Sequence, residues 1–142
     1  MTVAAIATIR IGESPALAVD VAGDGPLVIL LHGVGGGRGN WAGQLPVLAR
    51  YACAVAIDHR GYGDSEDYEG PLAFTDFADD VIRVADHFHA RSVHLCGLSM
   101  GGRIALDCYR RHPSRVASLV LADTSAGSKR SSPPAASRCW KD

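Results

Sequence analysis

Ser99 stands in the run Gly97-Leu98-Ser99-Met100-Gly101-Gly102, a G-x-S-x-G pattern with one further glycine. The chemistry such a run can support is attack by a serine hydroxyl, provided the backbone presents that hydroxyl to a substrate. An apolar stretch, Val93 to Cys96, precedes the run, and a helix-like stretch, Arg103 to His112, follows it. Strand, tight turn and helix in that order make a nucleophile elbow, which lifts the serine above the carboxyl edge of a sheet. The elbow needs Gly97 and Gly101, because a Cβ on either would collide with neighbouring backbone. The helix that follows directs its free N–H groups at the same spot, which suits a developing oxyanion.

Other residues capable of chemistry are more scattered. His59 reads as a loop-fixing or solvated histidine, and His94, inside an apolar stretch, as a core histidine. His87 and His89 fall at a helix end, where positive charge offsets the dipole. Arg60 is expected to hold a turn together, and Trp41 and Tyr62 either pack or line a pocket. Cys53, Cys96, Cys108 and Cys139 show no C-x-x-C and no paired metal spacing, so three of them read as small core residues. No metal or cofactor site is expected. Reduced thiols of this kind fit a cytoplasmic protein.

The elements that must position Ser99 follow from apolar patterning. Ala5 to Ile11 and Ala16 to Val21 alternate around Gly12 and Pro15 and read as a hairpin. Leu27-Val28-Ile29-Leu30-Leu31 has no polar alternation, as expected for a strand covered on both faces. The glycine loop His32-Gly33-Val34-Gly35-Gly36-Gly37 comes next, with Asn40 placed to cap a helix from about Trp41 and Pro46 implying a kink or late start. Tyr51 to Ile57 is a buried strand ending in Asp58-His59-Arg60-Gly61-Tyr62-Gly63-Asp64-Ser65. Phe74, Phe77, Ala78, Val81, Ile82, Ala85 and Phe88 recur at three- and four-residue steps, one face of a helix from Phe74 to His89. Asp76, Asp79 and Asp80 lie towards its favourable N-terminal end. Ser92 to Cys96 and Val116 to Ala122 complete the strands, and Pro113 stops the intervening helix. Such alternation specifies an α/β fold, a doubly wound and mostly parallel sheet with helices on its faces. Ligands in such sheets sit at the carboxyl ends of strands. The glycine loop, the Asp58 to Ser65 segment and Ser99 all fall on that edge.

The bounds are compatible with this reading. The chain has 142 residues, 47% of them hydrophobic and 20% charged, enough for one domain with a buried core. A net charge of −1 gives no case for nucleic-acid binding. No apolar run approaches a membrane span, and Met1 to Arg10 lacks the pattern of a signal peptide. Residues 126–142, rich in Ser, Pro and Ala and without a period, read as a disordered tail. Ser131 to Ser137 has the composition that GC-rich DNA yields when read out of frame.

Four segments resemble the α/β-hydrolase family in its esterase and enol-lactonase-like branch. They are His32-Gly33 after an apolar strand, Asp58-x-Arg60-Gly61-Tyr62-Gly63-x-Ser65, Gly97-Leu98-Ser99-Met100-Gly101-Gly102 and Leu119-Val120-Leu121-Ala122-Asp123-Thr124. The resemblance runs from about Ala5 to Thr124. It implies that residues 1–125 are the N-terminal portion of that fold, truncated after the sixth strand. It makes Ser99 the nucleophile and the backbone N–H groups of Val34 and Met100 the oxyanion hole. It gives His32 the task of steadying the glycine loop. Ser rather than Asp at position 99 argues against the dehalogenase and epoxide-hydrolase branches. The implied partner is a small acyl substrate, an ester or lactone, with no cofactor. In this family the chain order is Ser, acid, His. Asp123 is where a minority of members place the acid. The sole histidine after Ser99 is His112, about 20 Å away along a helix of 1.5 Å per residue, so the base is missing. Two expectations stay open: a hydrolase impaired by that loss, and a catalytically silent fragment that acts by binding or by pairing with a missing half. Self-association through an exposed sheet edge is expected of either.

Overall fold

A computed structural model describes residues 3–127. The expected tail, 126–142, and Cys139 lie almost entirely outside the described residues. Six strands form one sheet: β1 (Ala7–Ile11), β2 (Leu17–Ala22), β3 (Leu27–Leu31), β4 (Cys53–Ile57), β5 (Val93–Leu98) and β6 (Val116–Ala122). Their spatial order is β1-β2-β4-β3-β5-β6. The hairpin β1–β2 and the β2–β4 pair are antiparallel, whereas β4, β3, β5 and β6 run parallel. The sheet is therefore mixed and mostly parallel, and the helical connections lie on its two faces, as the alternation of strand and helix patterns requires.

The two faces are filled unequally. One carries α2 (Thr75–His87) and α3 (Met100–Arg111), which bury Phe77, Ala78, Val81, Val84, Ala85, Ile104, Ala105 and Cys108 against Val19, Ile29, Leu31, Val55 and Leu95. The other carries a 3-10 turn, Arg38–Trp41, and the short α1 (Leu45–Leu48), which cover Ala54, Ala56 and Leu30. Because side chains alternate along a strand, His94, Cys96 and Leu98 of β5 and Val120 of β6 belong to this thinly covered side. Val120 is 58% exposed and Leu121, on the opposite face, 42%.

Several element boundaries differ from the sequence expectation. The helix expected from about Trp41 is replaced by the 3-10 turn, and α1 starts only at Leu45. Pro46 sits in its first turn, where the missing N–H costs nothing. Asn40 does not cap a helix at Trp41. Its Oδ1 accepts the Gly37 N–H at 3.0 Å inside the glycine loop. β4 begins at Cys53 rather than Tyr51, and α2 ends at His87 rather than His89. His94 is a half-buried strand residue, not a core one, and its Nδ1 pairs with Ser118 Oγ on β6 at 2.6 Å. Of the three described cysteines, all free thiols, Cys108 is buried and Cys53 and Cys96 are half-buried. Among the described residues, no helix is long and apolar enough to cross a membrane.

Candidate active site

Glycine positions explain how the chain brings Ser99 to the carboxyl edge. A Cβ on Gly101 would come within 2.0 Å of the Leu31 carbonyl oxygen, and one on Gly97 within 2.3 Å of the Gly101 carbonyl oxygen. Helix α3 thus packs directly on β3 and folds back on β5, with no room for a side chain at either contact. Gly102 is equally constrained, since its Cβ would meet the side chain of Thr124 at 2.5 Å. Ser99 itself, between β5 and α3, has φ 53° and ψ −114°. A residue with a Cβ adopts positive φ only at an energetic cost, so the surrounding packing must hold it there. The Ser99 N–H donates to the Ala122 carbonyl at 2.9 Å, and Thr124 Oγ1 donates to the Ser99 carbonyl at 2.6 Å. The end of β6 therefore clamps the elbow from its far side.

The result is an exposed serine on the floor of an open cavity of about 470 Å³. Val34, Phe74, Met100, Arg103, Asp123, Thr124 and Ser125 complete its lining. The glycine loop approaches closely: a Cβ on Gly33 would lie 3.2 Å from Ser99 Cβ. Among the described residues, neither the Val34 nor the Met100 backbone N–H donates a hydrogen bond. Val34, Met100 and Ser99 thus line one cavity. Asp123, with φ 44°, is exposed on the same cavity wall. A larger recess of about 720 Å³, lined by Asp86, Arg91, Ser114 and Arg115 among others, lies at the amino ends of β5 and β6 and contains none of the motif residues.

Behind the glycine loop lies a buried histidine pair. His32 Nδ1 donates to the Gly33 carbonyl at 2.8 Å, and its Nε2 accepts the His59 backbone N–H at 3.2 Å. His59 Nε2 in turn donates to the His32 carbonyl at 3.2 Å. The rings lie 4.3 Å apart, with Tyr62 edge-on to both and Phe77 edge-on to His59. Burial lowers the pKa of both histidines, that of His59 to about 3, where proximity to His32 adds to the effect. Both nitrogens of His32 are occupied, and His59 is loop-fixing rather than solvated. Tyr62 belongs to this cluster. Trp41 lines a separate apolar cavity on the thinly covered face of the sheet, so neither aromatic reaches the Ser99 cavity.

A second network anchors the Asp58 to Ser65 segment. Buried Asp58 accepts the backbone N–H groups of Arg38, at 2.6 Å, and Asp64, at 3.0 Å, and pairs with the Arg38 guanidinium. Burial alone would raise the Asp58 pKa, but these donors outweigh it and hold the carboxyl below its usual range. Arg38 also reaches Asp20 of β2 at 3.0 Å. Ser65 Oγ donates to the Asp58 carbonyl at 2.5 Å and accepts the Ala18 N–H at 2.9 Å. Arg60 forms a two-pronged pair with Asp80 of α2, at 2.6 and 2.7 Å, so it does hold the turn, by tying it to the helix.

Ser99, the resemblance-implied Val34 and Met100, and Asp123 all line one cavity, together with Phe74, Arg103 and Thr124, which the sequence patterns do not single out for the site. Arg103 was legible in principle, because it falls one helical turn after the serine and so faces the same way. Nothing local announces Phe74, whose approach depends on how α2 packs against α3. His112 caps the far end of α3, at the opposite end of that helix from Ser99.

Comparison with known proteins identifies the family and the fold. Residues 26–142 match the family model described as alpha/beta hydrolase fold. A protein of Azorhizobium caulinodans named carbamate hydrolase RutD is 33% identical over 112 residues, which are 79% of this chain and 42% of that protein. Epoxide hydrolase B of Mycobacterium tuberculosis is 37% identical over 99 residues, 68% of this chain and 28% of that protein. The structure of a thermophilic esterase from Thermogutta terrifontis superposes with a TM-score of 0.78 and 30% identity, covering 93% of this chain and 50% of that one. The chain thus spans half or less of the length of each of these relatives. On the strength of these matches the chain belongs to the alpha/beta hydrolase family.

Proposed function

We propose that Ser99 is the nucleophile of an acyl-transfer site for a small ester, lactone or similar substrate, and that these 142 residues alone turn such substrates over poorly. The positive φ of Ser99 carries the first half of this reading. A strained backbone torsion at an exposed serine persists only where the fold over-determines it, and such strain concentrates at functional sites. In the proposed reaction the Ser99 hydroxyl adds to the acyl carbon, and the carbonyl oxygen gains negative charge. The N–H groups of Val34 and Met100 stabilise that oxyanion, one such donor being worth about 3 kcal/mol in the transition state. The C–O bond to the leaving oxygen then breaks, that oxygen takes up the proton released by the Ser99 hydroxyl, and acyl-Ser99 remains. Water cleaves it, giving its OH to the acyl group and a proton back to Ser99. The sequence calls for no cofactor in this route. Ser at position 99 sets the site apart from those that attack with a carboxylate.

The second half rests on the base. His32 has both nitrogens committed, His59 is buried with a pKa near 3, and His112 is the only histidine in the sequence after Ser99. None of them is placed to take the Ser99 proton. Loss of the base in a serine triad lowers turnover on the order of 10⁴- to 10⁶-fold. Asp123 could act as an acid only with a histidine from outside these 142 residues. We place the protein in the cytoplasm on the strength of its free thiols.

The test compares the purified chain with Ser99→Ala, using a short p-nitrophenyl ester and a fluorophosphonate probe. Equal, near-background hydrolysis by both, with slow or absent labelling of Ser99, is the expected result. Burst kinetics that vanish in Ser99→Ala would show an efficient base and overturn the claim of impairment. Rapid labelling at a residue other than Ser99 would overturn the nucleophile assignment.

A further inference from the structure

Among the described residues, Arg103 is the only cationic side chain lining the cavity that holds Ser99, and it forms no ion pair. Arg38, Arg60, Arg83, Arg111 and Arg115 are each paired with an aspartate. Arg103 instead rests over the face of Phe74, its guanidinium carbon 5.3 Å from the ring centroid. A cation–π contact of this kind restrains the side chain without consuming its five N–H donors. It lies four residues after Ser99, one turn along α3, and its backbone N–H donates to the Ser99 carbonyl at 3.3 Å. The guanidinium is therefore held over Phe74, at the wall of the cavity that Ser99 also lines. The amino end of α3 adds partial positive charge in the same region. Among the described residues, Asp123, just after β6, is the one carboxylate in the lining, and it does not pair with Arg103.

Resting on the proposed acyl site, we infer that Arg103 is a specificity-determining residue and selects acyl substrates that carry a carboxylate. The substrate's carboxylate meets the guanidinium while its acyl carbon sits at Ser99, and Val34, Phe74 and Met100 pack against the carbon chain between them. Asp123 disfavours the reversed pose, because it would face the substrate's negative charge.

Equilibrium binding tests this without any need for turnover. Monomethyl glutarate, an anion at pH 7, and neutral dimethyl glutarate are titrated into the full chain and followed by ligand-observed NMR. The expected result is tighter binding of the monoester by about fivefold, the scale of a partly exposed charge pair. The preference should shrink in 0.5 M salt by screening. Arg103→Met should abolish it, Arg103→Lys retain part of it, and Asp123→Asn enlarge it. Circular dichroism checks that each variant folds, which the exposure of both side chains favours. Equal affinities, no binding of either ester at 50 mM, or a preference that survives Arg103→Met would each overturn the inference. Failure of the nucleophile assignment would appear in the labelling experiment and leave these affinities unchanged, so the two failures are distinguishable.

Discussion

At the residue scale, contacts rather than residue types separate the positions that matter from those that do not. Gly101 and Gly39 are both helical glycines, yet a Cβ at Gly101 would strike the Leu31 carbonyl, and one at Gly39 would meet open space. Gly101→Ala is therefore expected to destabilise the protein by about 3 kcal/mol. Gly39→Ala should be neutral or slightly stabilising, by restricting the unfolded chain. Urea denaturation of the two variants checks this, and equal midpoints would contradict the packing described. The histidine pair makes a second prediction. Burial lowers the pKa of His59 to about 3, so the folded state holds His59 neutral where the unfolded chain takes up a proton. The stability this confers is complete above pH 6.5, the unfolded value, and is lost as pH falls from there towards 3. Its slope is about 1.4 kcal/mol per pH unit for one histidine, and His32, shifted in the same direction, adds to it. Stability measured from pH 7 to pH 5 should fall accordingly, and more gently in His59→Phe. A flat profile in the native sequence would refute the assignment.

At the scale of elements, β6 is the exception in the sheet. Its sequence, Val-Ala-Ser-Leu-Val-Leu-Ala, carries neither charge nor proline, and one of its sides pairs with β5 while the other pairs with nothing among the described residues. An uncharged, apolar edge strand lacks the devices that normally block strand addition. Concentration-dependent self-association in sedimentation is the expected behaviour. Val120→Lys, at a position already 58% exposed, should reduce it without loss of secondary structure. A monomer at every concentration would remove β6 as an association surface. The opposite side of the sheet shows a different solution. There β2 joins the β1 hairpin, and the Arg38 bridge between Asp20 and Asp58 ties it to the loop after β4. Arg38→Met would leave Asp58 buried with an uncompensated charge, at a cost of about 3–5 kcal/mol. Thermal unfolding of that variant and of Arg38→Met with Asp58→Asn checks the reason, because the double variant should recover part of the loss.

At the scale of the molecule, the unequal covering of the two faces predicts behaviour in solution. Val28, Leu30, Val47, Leu48, Cys96 and Val120 line an open apolar cavity of about 630 Å³, and the buried indole N–H of Trp41 at its wall has no acceptor among the described residues. A contiguous apolar surface of this kind binds hydrophobic dyes even in a folded protein. Anilinonaphthalene sulfonate should fluoresce on mixing with the native chain at pH 7, with energy transfer from Trp41. Absence of enhancement would mean that this face is covered in solution.

Periodicity and turn chemistry made most of the architecture legible, because they act locally. The unalternated run Leu27 to Leu31 signals a doubly covered strand, the spacing of Phe77, Val81 and Ala85 signals an amphipathic helix, and Gly97-x-Ser99-x-Gly101 signals the elbow between strand and helix. Ser99, Val34, Met100 and Asp123 could be assigned to one edge because each follows a strand end. Boundaries around Trp41 were less legible, since the glycine loop and Pro46 compete with helix formation over a few residues. Only the tertiary structure decided the rest. The order β4-β3-β5 brings the glycine loop against Ser99, and the packing of α2 on α3 sets Phe74 beneath Arg103. His32 and His59, 27 residues apart, become mutual partners because parallel pairing of β3 with β4 places Leu31 beside Ile57. Such contacts depend on which distant segments share the carboxyl edge of the sheet, and no short-range pattern records that.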